Sequence, residues 1–193
     1  ALSPLFHYDG PILVAASLDG AVEVPGREIT SWTLPQPTLE ERAALWRAVF
    51  TSVSAFCNAG FALQSDSLVS YQRDPAVLHT IAALIVAGGL SPVAITALAD
   101  RVRGRGVTMQ VRLLWGTTLV LLALGFLGFL AFEWGGVLAP LGLGDRLHNS
   151  WFQSVTLRTA GFNSVDLEQT APVTRALMMA LMFIGGSPGS TAG

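Results

Sequence analysis

Two stretches of this chain carry no Asp, Glu, Lys or Arg: Ala76 to Ala99, over 24 residues, and Leu113 to Phe132, over 20. Each is long enough to cross a hydrocarbon core of about 30 Å as a helix. In such a core every backbone N–H and C=O must be satisfied within the protein, which restricts the options severely. The remaining composition agrees: 51% of residues are hydrophobic, 12% are charged and the mean hydropathy is +0.54, too little charge for the surface of a soluble domain of this size. The expected fold class is all-α integral membrane, with two full spans.

A third apolar stretch, Ala176 to Ile184, reaches back at most to Pro172 across Arg175 and runs forward into Gly185-Gly186-Ser187-Pro188-Gly189-Ser190-Thr191-Ala192-Gly193. This is half a span. Short apolar segments broken by Gly and Pro predict discontinuous helices, whose freed backbone groups are tolerable at membrane depth only where protein or a watery cavity satisfies them. Between the two full runs lie Arg101, Arg103, Arg105 and Arg112. Four arginines in a short connection place residues 100–112 on the cytoplasmic side, and the opposite ends of the spans then face outward.

The chain also repeats itself. Phe50-Thr51-Ser52-Val53-Ser54-Ala55-Phe56-Cys57-Asn58-Ala59-Gly60-Phe61 returns as Phe152-Gln153-Ser154-Val155-Thr156-Leu157-Arg158-Thr159-Ala160-Gly161-Phe162. Each copy is a short amphipathic run closing on Ala-Gly-Phe. One copy would be an ordinary glycine-terminated helix; two, each between apolar segments, point to a re-entrant hairpin. An ion losing its water shell needs protein oxygens, and backbone carbonyls in a narrow turn supply them without a fixed charge. Glycine allows the backbone geometry such a turn demands. Asn58, Ala59, Gly60, Thr159, Ala160 and Gly161 are the candidate ion-binding residues, and each short helix would aim the negative end of its dipole at a cation.

Local signals set the remaining elements. Thr38-Leu39-Glu40-Glu41 reads as a capping box that starts a helix running through Ala55, with Leu45, Val49, Ser52 and Phe56 on one stripe and Ala48, Ser52 and Ser54 small enough for close packing. Asp74-Pro75 is an N-cap followed by proline at the first helical position. Gly88-Gly89-Leu90-Ser91-Pro92 predicts a kink inside the first span. Asp145 is the expected cap of the second short helix, and Trp134 and Trp151 are expected outer interface anchors. Residues 1–37, punctuated by Pro and Gly, read as an irregular outer segment. The organisation is thus 1–37, a first unit at 38–106 and a second at 107–193.

Several classes are excluded. A net charge of −2 and a pI near 5.9 give no basic stripe for nucleic acid. No nucleophile elbow, phosphate loop or zinc spacing appears, so an enzyme is not expected. His7, His79 and His148 are far apart in sequence and read as surface or helix-end residues rather than metal ligands. Cys57 is the lone cysteine, which rules out an internal disulfide. Arg158, next to the second glycine turn, would repel a cation if it faced one. It is expected to point behind the turn toward a carboxylate or carbonyl.

Ser52 to Phe61, Ser65-Asp66-Ser67-Leu68, Ser154 to Asn163 and Phe183 to Thr191 together resemble the membrane subunit of the Trk/Ktr/HKT potassium-transporter superfamily, over roughly Leu39 to Gly193. The resemblance implies helix, pore-helix, helix repeats with re-entrant filter loops, arranged with pseudo-fourfold symmetry around one ion path. On that mapping Gly60 and Gly161 are the filter glycines of the second and third repeats. The run Gly185, Gly186, Ser187, Gly189, Ser190, Thr191, Ala192, Gly193 is then similar to an intramembrane gate loop. It further implies potassium as the transported ion, with sodium as the alternative, a multi-pass location in the cytoplasmic membrane, a homodimer and a cytosolic nucleotide-binding regulatory subunit. The chain departs from the pattern in lacking the first and fourth repeats, in having the irregular segment where a helix would precede Leu39, and in carrying Leu157 where proline is frequent. Two quarters of a filter cannot enclose an ion, so a fragment of a longer subunit is expected. The alternative function is a non-transporting membrane module whose hairpins pack or dock a partner.

Overall fold

The computed structural model describes residues 38–192; the irregular segment expected at 1–37 and Gly193 lie outside the described residues. Six α-helices follow one another: α1 (Leu39–Phe56), α2 (Pro75–Gly89), α3 (Pro92–Val102), α4 (Met109–Glu133), α5 (Leu143–Thr156) and α6 (Pro172–Ile184). Single 3-10 turns at Val69–Tyr71 and Leu167–Gln169 precede α2 and α6. Among the described residues there is no strand.

The helix starts follow the sequence closely. Thr38 Oγ1 accepts from the Glu41 amide at 3.2 Å while the Glu41 carboxylate accepts from the Thr38 amide at 2.7 Å, the reciprocal pair of a capping box. Asp74 accepts from the amides of Ala76 and Val77 at 3.0 and 3.2 Å, and Pro75 opens α2. Asp145 behaves differently from the expectation. Gly142 is the N-cap of α5 and no side chain caps it; Asp145 sits inside the first turn, where its charge favours the helix dipole without closing a cap hydrogen bond.

The first expected span is not one kinked helix but two, α2 and α3, meeting at 102°. Proline at 92 disfavours helical geometry at the residue before it, and both Leu90 (φ −90, ψ 140) and Ser91 (φ −64, ψ 149) are extended. Ser91 then caps α3 by accepting from the Ala94 amide at 3.3 Å. The second span holds: α4 has 25 residues, with a mean hydropathy of 2.1 over an 18-residue window, and is about 37 Å long at 1.5 Å per residue. It is apolar all round. Val111, Thr118, Leu122, Gly125, Phe129 and Glu133 form its buried stripe, while Leu119, Val120, Leu124 and Leu127 are exposed.

Packing on that stripe places the rest. α5 lies between α4 and α2, α1 lies on α2, and α6 lies on α4. Gly125 brings α5 close, since a Cβ there would stand 2.5 Å from Ser154 Oγ, whose hydroxyl donates to the Leu122 carbonyl at 2.6 Å. Glu133, buried at the end of α4, accepts from the Ala171 amide at 2.8 Å and the Thr174 hydroxyl at 2.5 Å, capping α6 with a carboxylate from another helix. One apolar cluster joins Ala55, Ile81, Ile85, Leu122, Phe152 and Phe162; a second joins Phe129, Leu138, Leu157, Met178 and Leu181.

The expected stripe on α1 has no partner among the described residues. Leu45, Val49 and Phe56 are exposed, and of the small residues Ser54 is buried while Ala48 and Ser52 are not. Trp134 is exposed and covered by the Arg146 guanidinium at 4.9 Å, in keeping with an interface position. Trp151 instead packs half-buried against Phe126, so its role is internal.

Candidate functional site

The first repeated hairpin begins where α1 ends. The amides of Asn58 and Ala59 donate to the carbonyls of Ala55 (3.1 Å) and Ser54 (2.9 Å), the paired bonds of a Schellman motif. Its left-handed position is filled by Asn58 at φ 51, and Gly60 follows at φ 70. The second copy closes differently, the amides of Ala160 and Gly161 both donating to the Thr156 carbonyl at 3.0 and 3.3 Å, but positive φ recurs at Thr159 (68) and Gly161 (82). Positive φ suits glycine and is tolerated by asparagine. For a β-branched threonine it is an outlier of the kind that costs about 1–3 kcal/mol and persists only when the surroundings impose it. The Thr159 hydroxyl lies 2.7 Å from the Arg158 carbonyl and 3.3 Å from that of Ala192.

The two turns meet. A Cβ on Gly60 would stand 2.3 Å from the Ala160 carbonyl oxygen and 3.0 Å from Gly161 Cα, so only glycine allows this approach. Behind the turns the chain interlocks through residues flanking both: the Leu68 amide donates to the Asn163 carbonyl at 2.9 Å and the Asn163 amide to Ser67 Oγ at 3.1 Å. The Phe162 amide donates to Thr156 Oγ1 at 2.8 Å, tying the second turn to its own helix. In the link after the first turn, Asp66 accepts from the Ser70 hydroxyl, which lowers its pKa below the ordinary carboxylate value.

The glycine-rich run joins both turns. Gly185 (φ 70) ends α6 and a Cβ there would stand 3.5 Å from Thr159 Cγ2; Gly189 (φ 74) turns the run back, and a Cβ on Gly186 would meet the Ala192 methyl at 2.4 Å. The Ser187 amide donates to the Gly89 carbonyl at 3.4 Å and the Thr191 amide to that of Gly88 at 3.2 Å. Asn58 Nδ2 donates to Thr191 Oγ1 at 3.0 Å, and that oxygen also lies 2.8 Å from the carbonyls of Phe56 and Gly88. Of the residues singled out from sequence, Asn58, Gly60, Thr159, Ala160, Gly161 and the run from Gly185 to Ala192 are therefore neighbours. Ala59 belongs to the first turn, and Gly193 is not described.

Sequence reasoning missed three things. The sequence marks Gly88 only as part of a kink, yet a Cβ there would fall 1.8 Å from the Phe56 carbonyl: it is a point of close approach between α1 and α2. His79 and His148, read as unrelated, face each other across α2 and α5 with Nε2 and Nδ1 2.8 Å apart. Among the described residues no group of three or more His, Cys, Asp or Glu gathers to hold a metal. Arg158 does not find the partner expected of it: its Nε is buried with no hydrogen bond, as are both polar atoms of the fully buried Gln153. Leu157 is buried, and its amide donates to the Gln153 carbonyl at 3.1 Å, a bond proline could not make.

A family model described as the TrkH cation transport protein matches residues 36–193. The chain belongs to the TrkH family. Its relatives in that family include the potassium/sodium uptake protein NtpJ of Enterococcus hirae, 40% identical over 150 residues, which cover 77% of this chain and 33% of that protein. The Ktr system potassium uptake protein B is 37% identical in Bacillus subtilis and 36% in Vibrio alginolyticus, over 78% and 81% of this chain and 34% and 35% of those proteins. This TrkH-family chain thus spans about a third of the length of the curated relatives it matches. The matched segment contains both hairpins and the glycine-rich run.

Proposed function

We propose that this chain forms two of the repeats of a potassium uptake subunit in the cytoplasmic membrane. The carbonyls of Asn58, Ala59, Gly60, Thr159, Ala160 and Gly161 contribute to its selectivity filter, and the run from Gly185 to Gly193 forms its gate. The observation that carries this reading is the contact of two positive-φ turns at Gly60 and Gly161, with the glycine-rich loop bonded to both. Turns that offer backbone carbonyls rather than a side-chain carboxylate suit a monovalent cation that must bind and leave quickly. The names of the relatives, potassium uptake and potassium/sodium uptake, support the ion class and keep sodium as the alternative. In the same reading residues 100–112 are cytoplasmic, the hairpins face outward, the subunit is a homodimer and a cytosolic nucleotide-binding protein regulates it.

The test is selectivity. In the intact transporter, Gly161→Ser places a side chain at φ 82 against the first turn, and the preference for potassium over sodium in uptake assays should fall by tenfold or more, about 1.4 kcal/mol of discrimination. An unchanged ion ratio in correctly inserted protein removes the filter assignment.

A further inference from the structure

The break between α2 and α3 leaves the carbonyls of Gly88 and Gly89 without helical donors, since helix C-terminal acceptors have no partner in the following turn. They are satisfied by a segment about a hundred residues away, through the amides of Thr191 and Ser187. The Thr191 hydroxyl adds a second layer. It accepts from the Asn58 amide nitrogen at 3.0 Å and has one hydrogen to share between the Phe56 and Gly88 carbonyls, each at 2.8 Å. One side chain therefore touches the end of α1, the end of α2 and the first residue of the first turn. Its seat is shaped by Gly88, where a Cβ would stand 2.9 Å from Thr191 Oγ1.

We infer that Asn58 and Thr191 form a strap that holds the glycine-rich loop shut against the first hairpin, so that the loop cannot leave its seat without releasing the Asn58 turn. The inference rests on the filter-and-gate reading and adds to it a positioning pair. Asn58 is the residue of the strap with a double duty. Its left-handed backbone shapes the turn, while its amide group reaches away from the turn to the loop. The second hairpin has a weaker counterpart, Thr159 to the Ala192 carbonyl at 3.3 Å, so release is expected to begin at the second hairpin, with the Asn58–Thr191 strap as the last hold.

The experiment measures potassium uptake by the intact transporter, normalised to inserted protein. Thr191→Val keeps the side-chain volume and removes the hydroxyl bonds. Each net hydrogen bond contributes on the order of 1 kcal/mol, so the maximal uptake rate should rise roughly three- to tenfold. Thr191→Ser, which keeps the hydroxyl, should fall back toward the parental rate. Asn58→Gly keeps access to positive φ, drops the amide and should raise the rate comparably. The double variant Asn58→Gly/Thr191→Val should rise no further than Thr191→Val alone, because that change already removes every hydroxyl bond of the strap. An unchanged or lowered rate in inserted Thr191→Val, or additive rises in the double variant, overturns the strap; should Thr191→Val fail to insert, Asn58→Gly decides by the same criterion. If the strap variants are silent while Gly161→Ser still alters ion preference, only the strap falls. If Gly161→Ser is silent too, the reading beneath it falls.

Discussion

The two copies of the repeated hairpin share Phe-x-Ser-Val and the closing Ala-Gly-Phe and live in different surroundings. In the second, α5 packs against α4 and α2; Phe152, Val155, Leu157 and Phe162 are all buried, the two phenylalanines at 0% exposure. In the first, α1 leans on α2, and Leu45, Trp46, Val49 and Val53 stand exposed, with Phe61 68% exposed where its counterpart Phe162 is wholly covered. Yet both turns take positive φ at matching positions, Asn58 and Thr159 and again Gly60 and Gly161. The comparison separates two things that sequence similarity merges. The shape of the turn is local, set by helix-ending hydrogen bonds and by residues that tolerate left-handed backbone. The burial of the hairpin is set by neighbours, which the repeated motif does not encode.

If that separation is right, equivalent substitutions should have unequal effects. Phe152→Ala empties a site with no exposure, and the cavity should lower the stability of the full-length protein in detergent by about 3–5 kcal/mol. Phe50→Ala, at the equivalent place in the first copy and only half-buried, should cost about 1 kcal/mol or less. Thermal unfolding of the two variants measures the gap. Equal losses would mean that the exposed face of α1 is as tightly packed in the assembled protein as that of α5, which would merge the two environments. A smaller effect concerns the close approach that encloses the second copy. Gly125→Ala drives a methyl group into Ser154 Oγ and disturbs its bond to the Leu122 carbonyl, a loss of about 1–3 kcal/mol by overpacking.

What could be read from sequence divides along the same line. The capping box at Thr38, the Asp74-Pro75 start, the length of α4 and the two glycine turns were legible because each is decided within a few residues. The proline at 92 announced a disturbance, but its size was not legible: a kink and a break at 102° differ by whether Leu90 and Ser91 both turn extended, which depends on what the freed Gly88 and Gly89 carbonyls find. They find Thr191 and Ser187, about a hundred residues on. The His79–His148 contact and the capping of α6 by Glu133 are of the same kind, made by residues 69 and 38 to 41 positions apart. Asp145 shows the converse error. Its residue type suits a cap, but the chain enters α5 at Gly142 instead.

That entry supplies the smallest and sharpest test of the comparison. α1, with little packing, starts on a complete capping box; α5, exposed at Leu143 and Leu147 but largely buried from Asn149 to Thr156, starts on a glycine with no side-chain cap. Packing along the rest of a helix can hold a first turn that has no cap, so a helix with its later turns against neighbours needs capping less. Thr38→Ala should therefore cost about 1 kcal/mol and be felt locally, as faster hydrogen exchange over residues 39–43 with the turn at Gly60 unaffected. Asp145→Asn, which removes a charge from the first turn of α5 but no cap bond, should change stability by about 0.3–1 kcal/mol and leave exchange in α5 near its parental level. Fast exchange spreading through α5 in Asp145→Asn would show that its start depends on local charge after all. The enclosure of the second hairpin would then not be what holds it.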